Sequence, residues 1–580
     1  MKADDKSSES SLEIVTVPAT TTNTGRILTE EDKLLLAATQ QVILNNPQGL
    51  SEEEQLSLLK AMEKILSLGV PTVLSYTYSL FMVALGIMGG RLGNKDDEET
   101  YLGATILAST TLHTVLLLSL SPFFALAPQV KSLQGLEQHA QVSASLKHAV
   151  MLSVPVGFIA TLPLLFSKQM LTAFGQNNDN VELAATFLKP ASLVMPPVML
   201  RICFEQMLFA FDKQADVMKM ALTSFAIGLP ITYMLGFGKW GAPKLEFEGL
   251  AYGLVIQEYL IIMLFGLYLH KHPDLSSRKF FKAFQSLTQD DFKQIKSLLK
   301  AGIPISLTIL SEVGASFAMA VGAGLQGKDA QAAYNVAAQF TFFTATAPIA
   351  FGQTTMQQVS GSIANNQLTN ARQLAIAGVA SSVLLISPIC LAIIIDPSLL
   401  EKIFTNNAED LDNDVHDMIQ KLAPVVAIGA VLDAIRFNLL QVLRVTEDGN
   451  KATLIVNLSL WAGVGLAYSL GNLTSLELLG MVASYELFGI GMGAAALVPR
   501  WRTRIKVSHL ENVYRNLRNE SSDTNSSIDN GRSTPLPEYI NTSSSSHSVN
   551  SDINLDSTDS TTSTSEITAP GKKEYRCVLL

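Results

Sequence analysis

Gly69-Val70-Pro71 opens one long apolar run, and Gly302-Ile303-Pro304, 233 positions later, opens another. The agreement continues beyond the openings. Arg91-Leu92-Gly93-Asn94-Lys95-Asp96 behind the first is answered by Gly324-Leu325-Gln326-Gly327-Lys328-Asp329 behind the second. Phe204 in Ile202-Cys203-Phe204-Glu205 falls on Phe437 in Ile435-Arg436-Phe437-Asn438, again at 233. Phe174 with Asn177-Asn178-Asp179 returns as Phe404 with Asn406-Asn407. Anchors that persist while loops drift are the trace of a duplicated bundle. The copies differ in their acids. The second carries Glu312 and Asp433 inside apolar runs, where the register of the first places Ser79 and Leu200.

The 580 residues are 48% hydrophobic and only 16% charged although both ends are polar, which places the chain among all-α polytopic membrane proteins. The net charge of −10 comes from acids gathered in the N-terminal arm and the tail. With no basic, aromatic-laced surface motif, nucleic acid is not an expected partner. Of the three cysteines, Cys203 and Cys390 lie in apolar segments and Cys577 is fourth from the end. That spacing supports neither a disulfide framework nor a metal site. The first 50 residues are too polar and acidic for a cleavable signal, so the first membrane helix is expected to direct its own insertion.

Residues 1–60 read as a cytosolic arm with amphipathic helices. Leu28-Thr29-Glu30-Glu31-Asp32 starts one through about Leu44, and Ser51-Glu52-Glu53-Glu54 is a capping box leading into the membrane. Twelve spans are expected, near 65–90, 102–127, 145–167, 184–210, 217–237, 249–270, 299–325, 332–358, 373–395, 420–444, 452–471 and 477–499. Each is long enough to cross ~30 Å of hydrocarbon at ~1.5 Å per residue. They divide into two six-helix pseudo-repeats, an N-terminal lobe over 61–270 and a C-terminal lobe over 299–500, joined by a basic linker over 271–298. Lys271, Arg278, Lys279, Lys282, Lys293 and Lys296 make that linker cytoplasmic, which puts both termini in the cytosol; Arg500, Arg502, Arg504 and Lys506 agree. Residues 501–580, rich in Ser and Thr, are expected to form a disordered cytosolic tail.

A charge at the membrane centre costs ~3 kcal/mol or more, so each one needs a reason. Arg201 and Glu205, four apart, and Asp433 and Arg436, three apart, are spaced to pair along one helix face. Glu258 and Glu486 hold matching places in spans six and twelve, where a recurring acid suits bridging helices as well as binding, and Glu258 and Arg436 are secondary site candidates. Glu312 has no such neighbour, since Lys300 and Lys328 lie at the two ends of its own span. Either it is protonated and hydrogen-bonded, or it meets a cation in a wet cavity, and a buried carboxyl serves as proton carrier and cation ligand alike. Asn335 and Gln339, one turn apart on span eight, are candidates to line that cavity. His113 and His148 read as packing or interface residues, and the stripe Gln353, Gln357, Gln358 as facing water or a neighbouring helix. No phosphate-binding loop, nucleophile elbow or H-E-x-x-H is present in the sequence, so neither an ATP-driven pump nor an enzyme is expected. Two similar halves with buried acids in one is the layout of an asymmetric membrane transporter.

Over roughly 60–500 the chain resembles the multidrug and toxic compound extrusion (MATE) family of cation-coupled antiporters. Leu298-Leu299-Lys300-Ala301-Gly302-Ile303-Pro304-Ile305 followed by Glu312 is similar to the family's seventh helix. Asp433, eleven before Arg444, resembles the tenth-helix acid, and Asn457 with Trp461 the eleventh helix. Ala371-Arg372 after Val359-Ser360-Gly361 resembles the loop behind helix eight, and Gly249-Leu250-Ala251-Tyr252-Gly253 with Gln257 the sixth-helix opening. The chain departs from the pattern at Leu85, where many members carry an acid before Gly90-Arg91-Leu92-Gly93. Gly228 and Thr232 stand for paired asparagines, Val445 for a glycine, and Gly429 for the aromatic of sodium-type members.

The resemblance implies a V-shaped pair of six-helix lobes, working as a monomer, that exports organic cationic or amphipathic compounds in exchange for H+ or Na+, without a cofactor. Glu312 and Asp433 would bind the ion and the substrate in turn. A lipid-linked-sugar flippase of the same architecture, or a membrane scaffold that no longer transports, are the alternatives. Cys577-Val578-Leu579-Leu580 is an independent signal, a C-a-a-X box of the geranylgeranyl type with Lys572, Lys573 and Arg576 upstream. It makes Cys577 a lipidation site and a protein prenyltransferase and membrane lipids expected partners. Prenylation requires a eukaryotic cytosol, either the protein's own or that of a host.

Overall fold

The computed structural model describes residues 56–92, 98–174, 178–272, 275, 289–404 and 413–529. The expected N-terminal arm helices and the Cys577 box lie outside these residues. Ser57 caps the first helix by accepting from the backbone N–H of Lys60 at 3.3 Å. That helix is α1, Leu58–Ser75, and it is broken from α2, Thr77–Gly90, at Tyr76. The first half continues with α3 (Glu98–Leu120), a 3₁₀ turn (Ser121–Ala125), α4 (Leu126–Gly135), α5 (His139–Leu165) and α6 (Ser167–Ala173). It ends with α7 (Asn178–Ala191), α8 (Met195–Ala210), α9 (Gln214–Phe237) and α10 (Glu246–Lys271).

The second half opens with α11 (Gln289–Gln326), α12 (Lys328–Ala364), α13 (Leu368–Ile395) and α14 (Ser398–Phe404). α15 (Asn413–Val445), α16 (Gly449–Leu473), α17 (Glu477–Ala483), a π-helical turn (Ser484–Ile490) and α18 (Gly491–Arg504) complete it, and α19 (Val507–Asp529) comes after.

Among the described residues ten helices are long and apolar enough to cross a membrane. Two segments expected to span do not qualify: the first is interrupted at Tyr76, and α12 is loaded with Gln and Thr. The basic linker is shorter than expected, because α10 runs to Lys271 and α11 begins at Gln289. The expected disorder from 501 is also corrected. α18 continues to Arg504 and α19 runs to Asp529, with Leu510, Val513 and Leu517 buried against Ile65, Val359 and Ile363. Three apolar anchors at helical spacing hold an otherwise polar helix.

The same turn occurs twice in each half. Glu137, Asp212, Asn366 and Glu447 all take left-handed φ values between 57° and 62°. The next residue donates to the carbonyl five back in each case: Gln138 to Leu133, Lys213 to Leu208, Gln367 to Ser362 and Asp448 to Leu443. This is a Schellman closure that satisfies the last carbonyls of a helix and sends the chain straight back.

These turns share one end of the bundle with Leu56 and Arg504, and there the halves join. Ser121 Oγ donates to Ser306 Oγ at 2.8 Å, and Ser360 Oγ to the Pro128 carbonyl at 2.9 Å. Lys147 Nζ and His148 Nε2 of α5 hold Asp291 of α11 at 2.6 and 2.8 Å. A side chain at Gly302 would bring its Cβ within 2.5 Å of Pro122 Cα, so α11 crosses the first half there backbone to backbone. At the opposite end the close approaches found among the described residues stay within one half, as between Gly103 and Asn180 or Gly322 and Tyr468.

Candidate functional site

Asp433 and Arg436 sit one turn apart on α15. Arg436 Nε and Nη2 both donate to Asp433 Oδ1, at 2.8 and 2.5 Å. The pair expected from the spacing is therefore made. Nη2 also donates to Glu312 Oε1 of α11 at 2.9 Å, across 124 residues of sequence. The cation that Glu312 requires is thus supplied by the chain itself. The side chains of Glu312 and Asp433 are 26% and 15% exposed and Arg436 only 3%, so the two acids form a lip over a buried guanidinium.

A third acid closes the back of this group. Glu486 lies on the π-helical turn, is 4% exposed, and stands within electrostatic reach of Asp433 and Arg436. A π turn inserts one extra residue and so rotates the side chains beyond it, and such turns gather at functional positions. A Cβ at Gly429 would come within 2.1 Å of Glu486 Oε2, so the carboxyl fills the room which that glycine leaves on α15. The Thr341 hydroxyl of α12, which donates to the Ala337 carbonyl at 3.2 Å, lies beside the carboxyl, while Glu486 Oε2 and Arg436 Nη1 have no hydrogen-bond partner.

Asn335 and Gln339 are both exposed, and neither bonds Glu312, Asp433 or Arg436. The face of α12 that meets Glu486 carries Tyr334 and Thr341 instead. Periodicity shows that α12 has a polar stripe but not its rotation about the helix axis. Gln353 and Gln358 do meet neighbours, accepting from Tyr76 Oη at 3.1 Å and donating to Asp212 Oδ1 at 2.6 Å, and Gln357 is buried with them.

The first half holds a related group. Arg201 Nη1 donates to Glu205 Oε2 at 2.7 Å, and Arg201 Nε pairs with Glu258 Oε2 at 2.9 Å, all three buried. Glu258 thus bridges α8 and α10, one of the two roles its place in the sequence allows. Leu85 is 3% exposed in the apolar core, and Thr232 spends its hydroxyl on the Gly228 carbonyl at 2.9 Å. Both departures from the family pattern therefore serve packing here. No group of three His, Cys, Asp or Glu suited to a metal ion occurs among the described residues, and Cys203 and Cys390 are buried free thiols.

A family model described as MatE matches residues 71–234 and again 304–469, and the two matches begin 233 residues apart. A probable multidrug resistance protein NorM of Xylella fastidiosa (strain Temecula1) is 25% identical over 452 residues, covering 76% of this chain and 91% of that protein. Its namesake in Rhizobium meliloti is 22% identical over 447 residues, 75% of this chain and 92% of that one. Among solved structures, the eukaryotic MATE transporter AtDTX14 superposes with a TM-score of 0.68 at 15% identity, covering 80% of this chain and 99% of that one. An outward-facing multidrug resistance MATE family transporter of the MOP superfamily gives 0.66 at 17% identity, covering 79% and 99%. At such identities the structural likeness concerns the fold.

Proposed function

The chain belongs to the MatE family, and on that premise we propose that it is a multidrug-efflux antiporter, exporting organic cationic or amphipathic compounds in exchange for protons or sodium. It is an integral membrane protein. In the proposed topology twelve spans form two lobes over 61–270 and 299–500, with both termini cytosolic. The halves join at the terminus-bearing end, which in that orientation is the cytosolic side.

One observation carries the reading: Glu312 and Asp433 converge, partly exposed, on a single buried guanidinium. Among the described residues Arg436 alone is within ion-pair distance of the two acids, with Arg444 of α15 further off but in electrostatic reach of Glu312, and the partly exposed lip would attract an organic cation from the inward side. A proton or sodium ion arriving from outside neutralises a carboxylate, weakens its hold on the substrate and lets it leave. Each ligand lowers the affinity for the other, and by linkage the effect is equal in both directions. The flippase alternative needs guanidinium groups for a pyrophosphate, whereas Arg201 and Arg436 each already serve two carboxylates.

Proteoliposomes holding the full chain, given ethidium and an imposed pH or sodium gradient, test the proposal. Gradient-driven movement that disappears in Glu312→Gln is expected. No flux from wild-type protein under either gradient would leave the scaffold alternative standing.

A further inference from the structure

The two halves make the same charged group differently. In the first, the arginine of the fourth span pairs with an acid on its own helix, Glu205, and with the sixth-span acid, Glu258. In the second, Arg436 pairs with the acid on its own helix, Asp433, but its remaining contact goes to Glu312. The first half has no equivalent of Glu312, since its register carries Ser79. Glu486, the counterpart of Glu258, makes no ion pair with Arg436, whose partners are Asp433 and Glu312, and its Oε2 and Nη1 of Arg436 are both buried without a hydrogen-bond partner. A buried acceptor and a buried donor, both orphaned and facing one site, carry a desolvation cost that native proteins rarely leave standing.

We infer that Glu486 is a second seat for the Arg436 guanidinium, which turns from Glu312 to Glu486 when a proton or an organic cation takes Glu312. The inference rests on the antiporter reading for its role but not for its existence. Asp433 holds the guanidinium in both arrangements and acts as the pivot. The groups around Glu486 are Asp433 and Arg436 of α15, Tyr334 and Thr341 of α12, and Tyr485 beside it on the π turn, which in turn reaches Glu312 of α11. Arg436 is the one cation among them, so it alone can answer the charge on Glu486. Gly429 is what makes the second seat possible, because any side chain there would occupy the position of Oε2.

The switch makes Glu486 a positioning residue. It takes up the Glu312-facing side of the guanidinium when a ligand occupies Glu312, so the group keeps two carboxylates throughout. Without that seat Arg436 would be left with Asp433 alone.

Melting temperatures of the purified full chain test this without any substrate. Glu312→Gln imitates a neutralised Glu312 and should send Arg436 to Glu486. Glu486→Gln is therefore expected to lower the melting temperature at least twice as far in the Glu312→Gln background as in wild type. Equal drops in the two backgrounds would overturn the inference. Gly429→Ala, which crowds the carboxyl off its seat and keeps every charge, should show the same dependence on the Glu312 background, and serves if Glu486→Gln fails to fold. Because the readout is stability, a chain that moves no ethidium would defeat the antiporter reading and leave this result to be judged separately.

Discussion

Gln358 Nε2 of α12 donates to Asp212 Oδ1 at 2.6 Å, and the other oxygen of Asp212 is held by Lys131 of α4. One carboxylate in a first-half turn thus ties the second half to two elements of the first. Opening at this end must break it.

Asp212→Ala should weaken that closure by about 1–2 kcal/mol, the worth of hydrogen bonds to a charged group at a partly exposed site. In membrane vesicles a cysteine placed at Ser306 should then react several-fold faster with a polar thiol reagent added from the terminus-bearing side. Unchanged labelling would show that the apolar contacts alone hold the halves together.

Gly302 allows no side chain against Pro122. Gly302→Leu should wedge the halves apart, because the atoms it would meet include backbone that cannot yield. Ser121 and Ser306, whose oxygens are 2.8 Å apart, offer the gauge. A cysteine pair at those two positions should cross-link readily in an otherwise native chain and poorly once the Gly302→Leu change is added. Efficient cross-linking in both would contradict the close approach.

Glu312→Gln and Asp433→Asn should each abolish gradient-driven flux, and the double variant should be no worse than either. Groups that form one ion site are not additive. Defects that multiply would assign the acids to separate steps. Arg436→Ala removes the shared partner of both acids, and losing one side of a buried ion pair typically costs ~3–5 kcal/mol. A clear fall in melting temperature is expected, partly recovered by adding Glu312→Gln.

Much of this site is visible in the sequence. The acids stand out because apolar runs make any charge conspicuous, and Asp433 with Arg436 is a local pair that helix geometry predicts. The bond from Arg436 to Glu312 is not legible, because nothing in a spacing of 124 residues says which helices touch. Glu486 resembles Glu258 in its place along the chain, which suggests a helix bridge, yet the two differ in partner, and only the packing of Gly429 reveals it. The helix after the last span is hidden by Ser- and Asn-rich composition. Leu510, Val513 and Leu517, at steps of three and four, are the signal available.

Cys577→Ser should remove the proposed lipid without altering transport per molecule. Mass spectrometry of the C-terminal peptide from eukaryotic cells would show a geranylgeranyl group in the wild type alone. The intact unmodified end would remove the prenylation proposal. The neighbouring Lys572, Lys573 and Arg576 are each expected to add ~1 kcal/mol of attraction to an anionic leaflet.

The break at Tyr76 has a mechanical consequence. Below it α1 packs on α9 of the first half and on α12 and α13 of the second; above it α2 packs on α3, α9 and α10. An unbroken rod fastened this way would lever its upper part against one half whenever its lower part moved with the other. The break makes it two short struts with a joint, and the hydroxyl of Tyr76 at that joint is moored to Gln353 across the seam. The first segment can therefore absorb relative rotation of the halves as a change of a few dihedrals at one residue. Bending of this segment is confined to the one residue whose hydroxyl is moored to the other half, while its two struts keep their shape.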